Sequence, residues 1–356
     1  MIYQIEPTFS RGTLNNLKKY IFSGGWFTEH KQTKYFEKLF SKFLKSKQVI
    51  LFPNGTLTMS SILMCLDIKK KDEVLVSNYT MVATANAALL AGGKVNLVDI
   101  SPDNLCMDPK DFKKKITKNT KFVIYTSMNG RAGHISEIIK ICKKHKIIFI
   151  EDAAHSIGSF FKKKHLGTFG LAGSFSFSMP KLITMGQGGA ITTNNSILAK
   201  KIRKFKDFGR LRNGIDIHNS LGYNFKVTDM QALLGIGQLK ELSKRIKKKK
   251  IIYDTYYKYL KGNNSLKVFK RNKDETPWSF DLYSKNKKKI KKYLKKHKIL
   301  TRYVYPPLNS QKIYKHITNL KVSNDFCKKG IWLPSSLNLK ISEIKKICNL
   351  INKISK

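Results

Sequence analysis

The sequence predicts an α/β fold, a largely parallel sheet covered by helices on both faces, with a smaller α+β unit after it. Two observations carry this expectation. Short apolar runs alternate with helix-patterned stretches from about residue 49 onward, the order that builds parallel sheets. The chain has 356 residues, 41% of them hydrophobic, enough for about two domains and a sizeable core. We place a large domain at residues 10–235 and a small one at 236–356.

The elements follow in order. A turn-rich entry, Ser23-Gly24-Gly25-Trp26-Phe27-Thr28, precedes an amphipathic helix near Thr33 to Leu44. The strand Val49–Phe52 runs into Asn54-Gly55-Thr56 and a helix to about Leu66. A strand at Glu73–Ser77 precedes a helix from about Met81 to Ala91. Lys94–Asp99 and Phe122–Tyr125 read as further strands. A helix over roughly Ile135 to Lys144 leads to the strand Ile147–Ile150, which ends at Glu151-Asp152. Ser174–Phe177 and Ala190–Thr193 read as short strands flanking a loop. One long helical stretch, about Thr228 to Lys249, leaves the sheet, and the rest alternates strand and helix patterns.

Composition excludes several classes. No apolar run approaches the roughly 20 residues that span a bilayer, and the first residues lack the pattern of a signal peptide, so a cytoplasmic protein is expected. The five cysteines, Cys65, Cys106, Cys142, Cys327 and Cys348, form no CxxC pair, which suggests neither a disulfide framework nor a metal site. Lys+Arg number 69 against 23 Asp+Glu, a formal charge of +46. The excess is mostly lysine and is spread along the chain, whereas phosphate readers concentrate charge and favour arginine. Nucleic acid is therefore the less favoured partner. A positive field also draws in an anionic metabolite.

Open α/β sheets place ligands at the carboxyl ends of their strands, and three features converge there. Asn54-Gly55-Thr56 is a strand-to-helix turn whose glycine permits close approach and whose free N–H groups favour an anion such as phosphate. In Ile150-Glu151-Asp152-Ala153-Ala154-His155 a carboxylate closes a buried strand, which demands a cationic or donor partner. A pyridinium N–H is such a partner; a helix cap is the plain alternative for Asp152. His155 suits a contact at a cofactor's phenolic oxygen, or a backbone carbonyl. The third is Ser174 to Gly189, where Lys181 sits alone in an apolar, glycine-rich stretch. Desolvation lowers a lysine's pKa and makes it a usable nucleophile.

With Asp72-Glu73-Val74, Thr80 to Asn86, Val98-Asp99-Ile100, Leu221 to Phe225 and Leu333 to Ser336, these motifs occur in an order that resembles the DegT/DnrJ/EryC1/StrS nucleotide-sugar aminotransferases over roughly residues 18 to 350. The resemblance implies the aspartate aminotransferase-like fold (fold type I), with a mainly parallel seven-stranded sheet. It implies pyridoxal 5′-phosphate as cofactor, with pyridoxamine phosphate as its aminated form. Lys181 becomes the Schiff-base lysine and Asp152 the partner of the ring nitrogen. Ser176, Gly55 and Thr56 become phosphate contacts, and Asn224 reaches the phosphate of a neighbouring subunit, which implies a homodimer. Two departures stand out: Met81 occupies the place of a ring-stacking aromatic, and Lys226 that of an arginine.

Lysine rather than histidine at position 181 argues against the family's dehydratase variant. The expected reaction takes an amino group from an amino acid, glutamate leaving as 2-oxoglutarate, to a 4-keto-6-deoxy sugar on a nucleoside diphosphate, with ping-pong kinetics. Segments Ser127 to Arg131 and Thr301 to Pro307 resemble perosamine-synthase-like members, favouring a GDP-linked acceptor over a UDP- or dTDP-linked 4-ketosugar, with a 3-keto acceptor next. Arg131 and Arg302 are candidates for the diphosphate, or for ion pairs. Trp26 lines the acceptor cleft or packs at a domain edge. The reading from another class is a basic nucleic-acid-binding regulator without catalysis, whose DNA binding would be strongly salt-dependent.

Overall fold

The apolar runs between residues 48 and 193 assemble into one seven-stranded sheet in the computed structural model, which describes residues 1–212, 215–318 and 320–355. Its strands are β1 (Gln48–Phe52), β2 (Glu73–Ser77), β3 (Lys94–Val98), β4 (Thr120–Thr126) and β5 (Ile148–Asp152). A detached hairpin follows, β6 (Phe160–Phe161) with β7 (Lys164–His165), and then β8 (Ala172–Ser176) and β9 (Gly189–Thr193) complete the sheet. The spatial order is β1-β9-β8-β5-β4-β2-β3. Every pairing from β8 to β3 is parallel, and only β9 runs against both its neighbours. Strands β1, β2, β4, β5 and β8 therefore end at one edge, and the loop from β8 back to β9 lies there too.

Alternation of side chains sets the two faces. Ile50 and Phe52 of β1, Val74 and Val76 of β2 and Phe122 and Ile124 of β4 pack into one core. Val49, Leu51, Leu75, Val123 and Tyr125, one residue out of phase, point to the other side, as the two-residue strand period requires. Each such buried Val, Leu, Ile or Phe contributes about 1.5–3 kcal/mol through removal from water.

The helices are α1 (Arg11–Phe22), α2 (Lys31–Leu44), α3 (Gly55–Cys65), α4 (Val82–Leu90), α5 (Pro109–Lys115), α6 (Ile135–Lys144) and α7 (Ser196–Lys206). After them come α8 (Asp229–Lys240), α9 (Leu242–Leu260), α10 (Lys287–Lys296), α11 (Lys321–Lys329) and α12 (Ile341–Ile354). Helices α3, α4 and α7 cover the first face, while α5 and α6 with α2 and α8 cover the second. A second sheet, of β10 (Lys267–Val268), β11 (Phe280–Tyr283), β12 (Arg302–Tyr303) and β13 (Gly330–Leu333), has the order β10-β11-β13-β12, antiparallel throughout. It packs on α9, α10 and α12 through Tyr253, Tyr256, Ile290, Leu294, Ile344 and Ile347. Among the described residues no helix is long and apolar enough to cross a membrane.

Two expectations change. The single helix over Thr228 to Lys249 is two, separated at Glu241, whose N–H turns back to Gln238 and Leu239 carbonyls. Helix α8 spans positions 235 and 236, the expected limit between the two domains. The entry segment holds a helix, α1, that the sequence pattern did not announce. Its partner explains it: a Cβ on Gly237 of α8 would sit 2.1 Å from Thr13 Oγ1. That close approach of two helices is a tertiary contact and leaves no local signal.

Candidate active site

Four strand ends meet at the site. At the end of β1, Asn54 caps α3 through Oδ1, which accepts from Leu57 N at 2.9 Å. Gly55 and Thr56 thus stand at the free N-terminal end of that helix, where the amides point outward. A Cβ on Gly55 would lie 3.1 Å from Ser176 Cβ at the end of β8, so glycine is what lets α3 press against that strand. Ser176 Oγ and Ser178 Oγ are 3.2 Å apart beside it.

Asp152 closes β5 and is buried. Thr84 Oγ1 of α4 donates to Oδ2 at 2.7 Å and the Ala154 N–H donates to Oδ1 at 3.1 Å. Burial raises its pKa, and the Thr84 hydroxyl, the Ala154 amide and the Lys181 charge work against that rise. His155 lies next in the chain, with Nδ1 accepting from the Asn129 N–H at 3.4 Å. Burial, Lys181 and Arg302 hold its pKa well below the usual imidazole range. Its ring is therefore neutral, with Nδ1 as an acceptor.

Lys181 sits in the return from β8 to β9. This turn is built by Phe177, whose carbonyl takes the Met185 N–H at 2.9 Å and the Thr184 hydroxyl at 3.1 Å, and by Gly186, at φ +76°. Burial pushes the Lys181 amine down to about 8, Asp152 opposes the shift and Arg302 adds to it. A neutral fraction of that amine exists near pH 7, a condition for a nucleophilic lysine. Met81 caps α4 at the end of the β2 turn and is 43% exposed, its Sδ facing the Ala83 N–H at 3.0 Å.

The remaining candidates divide. Arg302, on β12, is exposed and lies over Tyr305 at 5.6 Å and Trp332 at 5.9 Å, and its charge is felt at Lys181 and His155. Asn224 is exposed, on a segment bridged to Asp207, and Lys226 pairs with Asp207 at 2.7 Å. Trp26 is 66% exposed, its ring 6.5 Å from that of His30. Arg131 does not belong with them. Its Nη2 meets Asp281 Oδ2 at 2.5 Å in a buried pair, and Tyr253 Oη lies 3.2 Å away. A guanidinium enclosed this way cannot reach a substrate diphosphate, so that expectation is withdrawn.

Asp281 organises more than Arg131. Oδ2 also accepts from Asn129 Nδ2 at 2.7 Å, and Oδ1 accepts from Trp332 Nε1 at 2.7 Å. Asn129, at φ 56°, is the residue whose backbone orients His155. Replacing Asp281 by alanine leaves a guanidinium buried without its counter-charge. We expect about 3–5 kcal/mol of lost stability, read as a lower midpoint of urea unfolding, with a smaller loss for Asp281→Asn. The sequence offered no motif for Asp281 or Trp278, and Thr84 and Tyr305 lay unmarked within the quoted Thr80 to Asn86 and Thr301 to Pro307 stretches.

The seven-stranded sheet, with Lys181 and the buried Asp152 at its carboxyl edge, has the architecture of the aspartate aminotransferase-like fold, and the chain's homologues and structural neighbours are sugar aminotransferases. The chain belongs to the DegT/DnrJ/EryC1/StrS aminotransferase family, whose model matches residues 11–352. It is 30% identical over 361 residues to the GDP-perosamine synthase of Vibrio cholerae, covering 99% of this chain and 98% of that protein. Among solved structures it resembles Helicobacter pylori PseC, an aminotransferase involved in the biosynthesis of pseudoaminic acid, with TM-score 0.94, 26% identity, 99% of this chain covered and 98% of that one. It also shares the fold of Escherichia coli GDP-4-keto-6-deoxy-D-mannose-3-dehydratase with bound hydrated PLP, with TM-score 0.91, 22% identity, and 98% and 99% of the two chains covered.

Proposed function

We propose that this chain is a pyridoxal 5′-phosphate enzyme that moves an amino group from L-glutamate to C4 of a nucleotide-linked 4-keto-6-deoxy sugar, with a GDP-linked acceptor favoured. The observation that carries the reading is the Lys181 amine, its pKa brought down to about 8, within the field of the buried Asp152 carboxylate. The residues present fit the cofactor. Gly55 leaves open a cradle that a Cβ would fill against Ser176, and the start of α3 suits a phosphate. Asp152 suits a protonated ring nitrogen, His155 the phenolic oxygen, and Met81 a ring face. When bound, the cofactor supplies an electron sink that lets one site serve an amino donor and then a ketone acceptor.

The protein's own groups do the rest. Lys181 Nζ would hold the cofactor and, when free, would take the proton from the donor's Cα as base and deliver it as acid to the cofactor's C4′. The neutral His155 adds no second positive charge beside that amine. Arg302, exposed at the mouth, offers a planar fork to the acceptor's diphosphate, and Trp26 stands ready to cover the sugar. Asn224, exposed on its own subunit, reaches the phosphate of a neighbour, making the working form a cytoplasmic homodimer.

Relatedness to a GDP-perosamine synthase supports the GDP-linked acceptor. Similarity to the UDP-4-amino-4,6-dideoxy-N-acetyl-beta-L-altrosamine transaminase of Helicobacter pylori, 28% identical over 92% of this chain, keeps a UDP- or dTDP-linked 4-ketosugar as a second reading. Purified protein given L-glutamate and a panel of GDP-, UDP- and dTDP-linked 4-ketosugars is expected to release 2-oxoglutarate and form a 4-amino sugar with the GDP substrate preferred. No turnover with any member, together with no borohydride-stable label on Lys181, would overturn the proposal.

A further inference from the structure

Trp278 carries no motif, yet the site is built against it. It lies two residues before β11 and is buried. Its indole stacks on the His155 ring with centroids 4.2 Å apart and planes 11° from parallel. Nε1 donates to the Pro180 carbonyl at 2.7 Å, the peptide group that enters Lys181. Lys181 Nζ itself lies 5.1 Å from the indole centroid. One side chain thus touches the imidazole by its face, the lysine's backbone by its edge, and the amine by its ring.

The indole is also held from behind. Trp332 meets it edge-on at 5.0 Å and 90°, and the Trp332 N–H is fixed on Asp281. The Trp278 carbonyl accepts from Lys249 Nζ at 2.7 Å, and the same buried amine donates to the Ser335 carbonyl at 2.5 Å. Rotation of the indole would break its bond to Pro180 and open the stack on His155. A buried aromatic with all these contacts has one rotamer available to it, and that rotamer carries information from the second sheet to the edge of the first.

We propose, resting on the function assigned to this site, that Trp278 is a positioning residue: it fixes the Lys181 peptide and the His155 ring together, so that amine and imidazole keep one geometry through both half-reactions. It touches neither acceptor nor donor in this role and acts through its two neighbours. Displacements of about 1 Å in such an arrangement reduce rates by roughly 100-fold. The charges felt at the amine are those of Asp152 and Arg302, His155 and the Trp278 indole lie beside it, and Glu6, Arg245 and Lys249 line a small pocket with it.

The test uses Trp278→Leu and Trp278→Phe in the full chain. In cofactor-free protein, competitive acetylation with acetic anhydride from pH 6 to 11, followed by peptide mass mapping, reads the titration of Lys181. The wild-type midpoint is expected near 8. Leucine admits water to the amine and should raise the midpoint by about one pH unit, since desolvation is what lowers it. Phenylalanine keeps an aromatic face, loses the bond to Pro180 and should shift it less. In the loaded enzyme kcat should fall about 10- to 100-fold for leucine with the acceptor KM little changed, and phenylalanine should recover part of it. If the leucine variant does not fold, the phenylalanine variant decides alone by the same two readouts. Variants with the wild-type midpoint and kcat would overturn the inference only. A wild-type Lys181 that titrates like an exposed lysine would overturn the reading of the site itself.

Discussion

Lys181→Arg is expected to remain folded and to lose turnover by about 10²- to 10⁴-fold or more, the range removed with an essential acid–base group. The guanidinium keeps the positive charge that Asp152 sees, but it stays protonated throughout the accessible pH range and offers no lone pair for covalent capture. Lys181→Ala, which removes the charge as well, should be equally inactive. Loss of the visible absorbance of bound cofactor and absence of a borohydride-stable adduct at position 181 check the covalent part separately from kcat. The wild-type protein adds a pH signature. Its amine titrates near 8 because burial disfavours the ammonium form. Capture of pyridoxal phosphate should therefore quicken as pH rises and level off above 8, roughly two units below an ordinary lysine at about 10.4. A profile still climbing at pH 10 would mean that the amine is not sheltered.

Much of this was legible from the residues. The seven strands show as apolar runs because both faces of the sheet are covered, and β5 ends where Asp152 does because a carboxylate there needs the open edge. Lys181 stood out as one lysine in an apolar loop within a chain otherwise crowded with exposed lysines. What stayed hidden is contact between distant segments. Arg131 read as a surface cation because its partner, Asp281, is 150 residues away and in another sheet. Helix α1 exists because Gly237 lets it close on α8. Trp278 is one tryptophan among the chain's three, and only packing distinguishes it from Trp26, which is exposed.

These hidden contacts share a direction. Asp281 holds Asn129, Arg131 and Trp332, Asn129 orients His155, and Trp332 braces Trp278. The edge where the cofactor's residues stand is thus fixed by the second sheet as well as by its own strands. The motifs supply groups that react, and residues without motifs supply their geometry. Substitutions in the second class should therefore lower stability and rate together, whereas those in the first should lower rate alone.

Asp152→Asn is the sharpest case of the first class, a loss of rate without a loss of stability. The carboxylate makes two bonds of opposite tolerance: Oδ1 accepts from an amide N–H that has no alternative, and Oδ2 accepts from the Thr84 hydroxyl. An asparagine can place its carbonyl on the Ala154 N–H and its amino group toward Thr84 Oγ1. That hydroxyl is then free to turn its own hydrogen to Thr80 Oγ1, 2.9 Å away, so every polar group keeps a partner. Stability should move by less than about 1 kcal/mol, within the ordinary net worth of a hydrogen bond. The negative charge is lost, however, and with it the means of keeping a ring nitrogen protonated in a buried place. We expect kcat to fall about 10²- to 10³-fold, as when one preorganised electrostatic contact is removed from a water-excluded site. Lys181 should still be labelled by the cofactor, and its titration midpoint should drop, because the charge that favoured the ammonium form is gone. Thermal unfolding, borohydride labelling and steady-state turnover on one preparation separate these outcomes. Full activity in Asp152→Asn would mean that the carboxylate is a helix cap and that another group faces the cofactor.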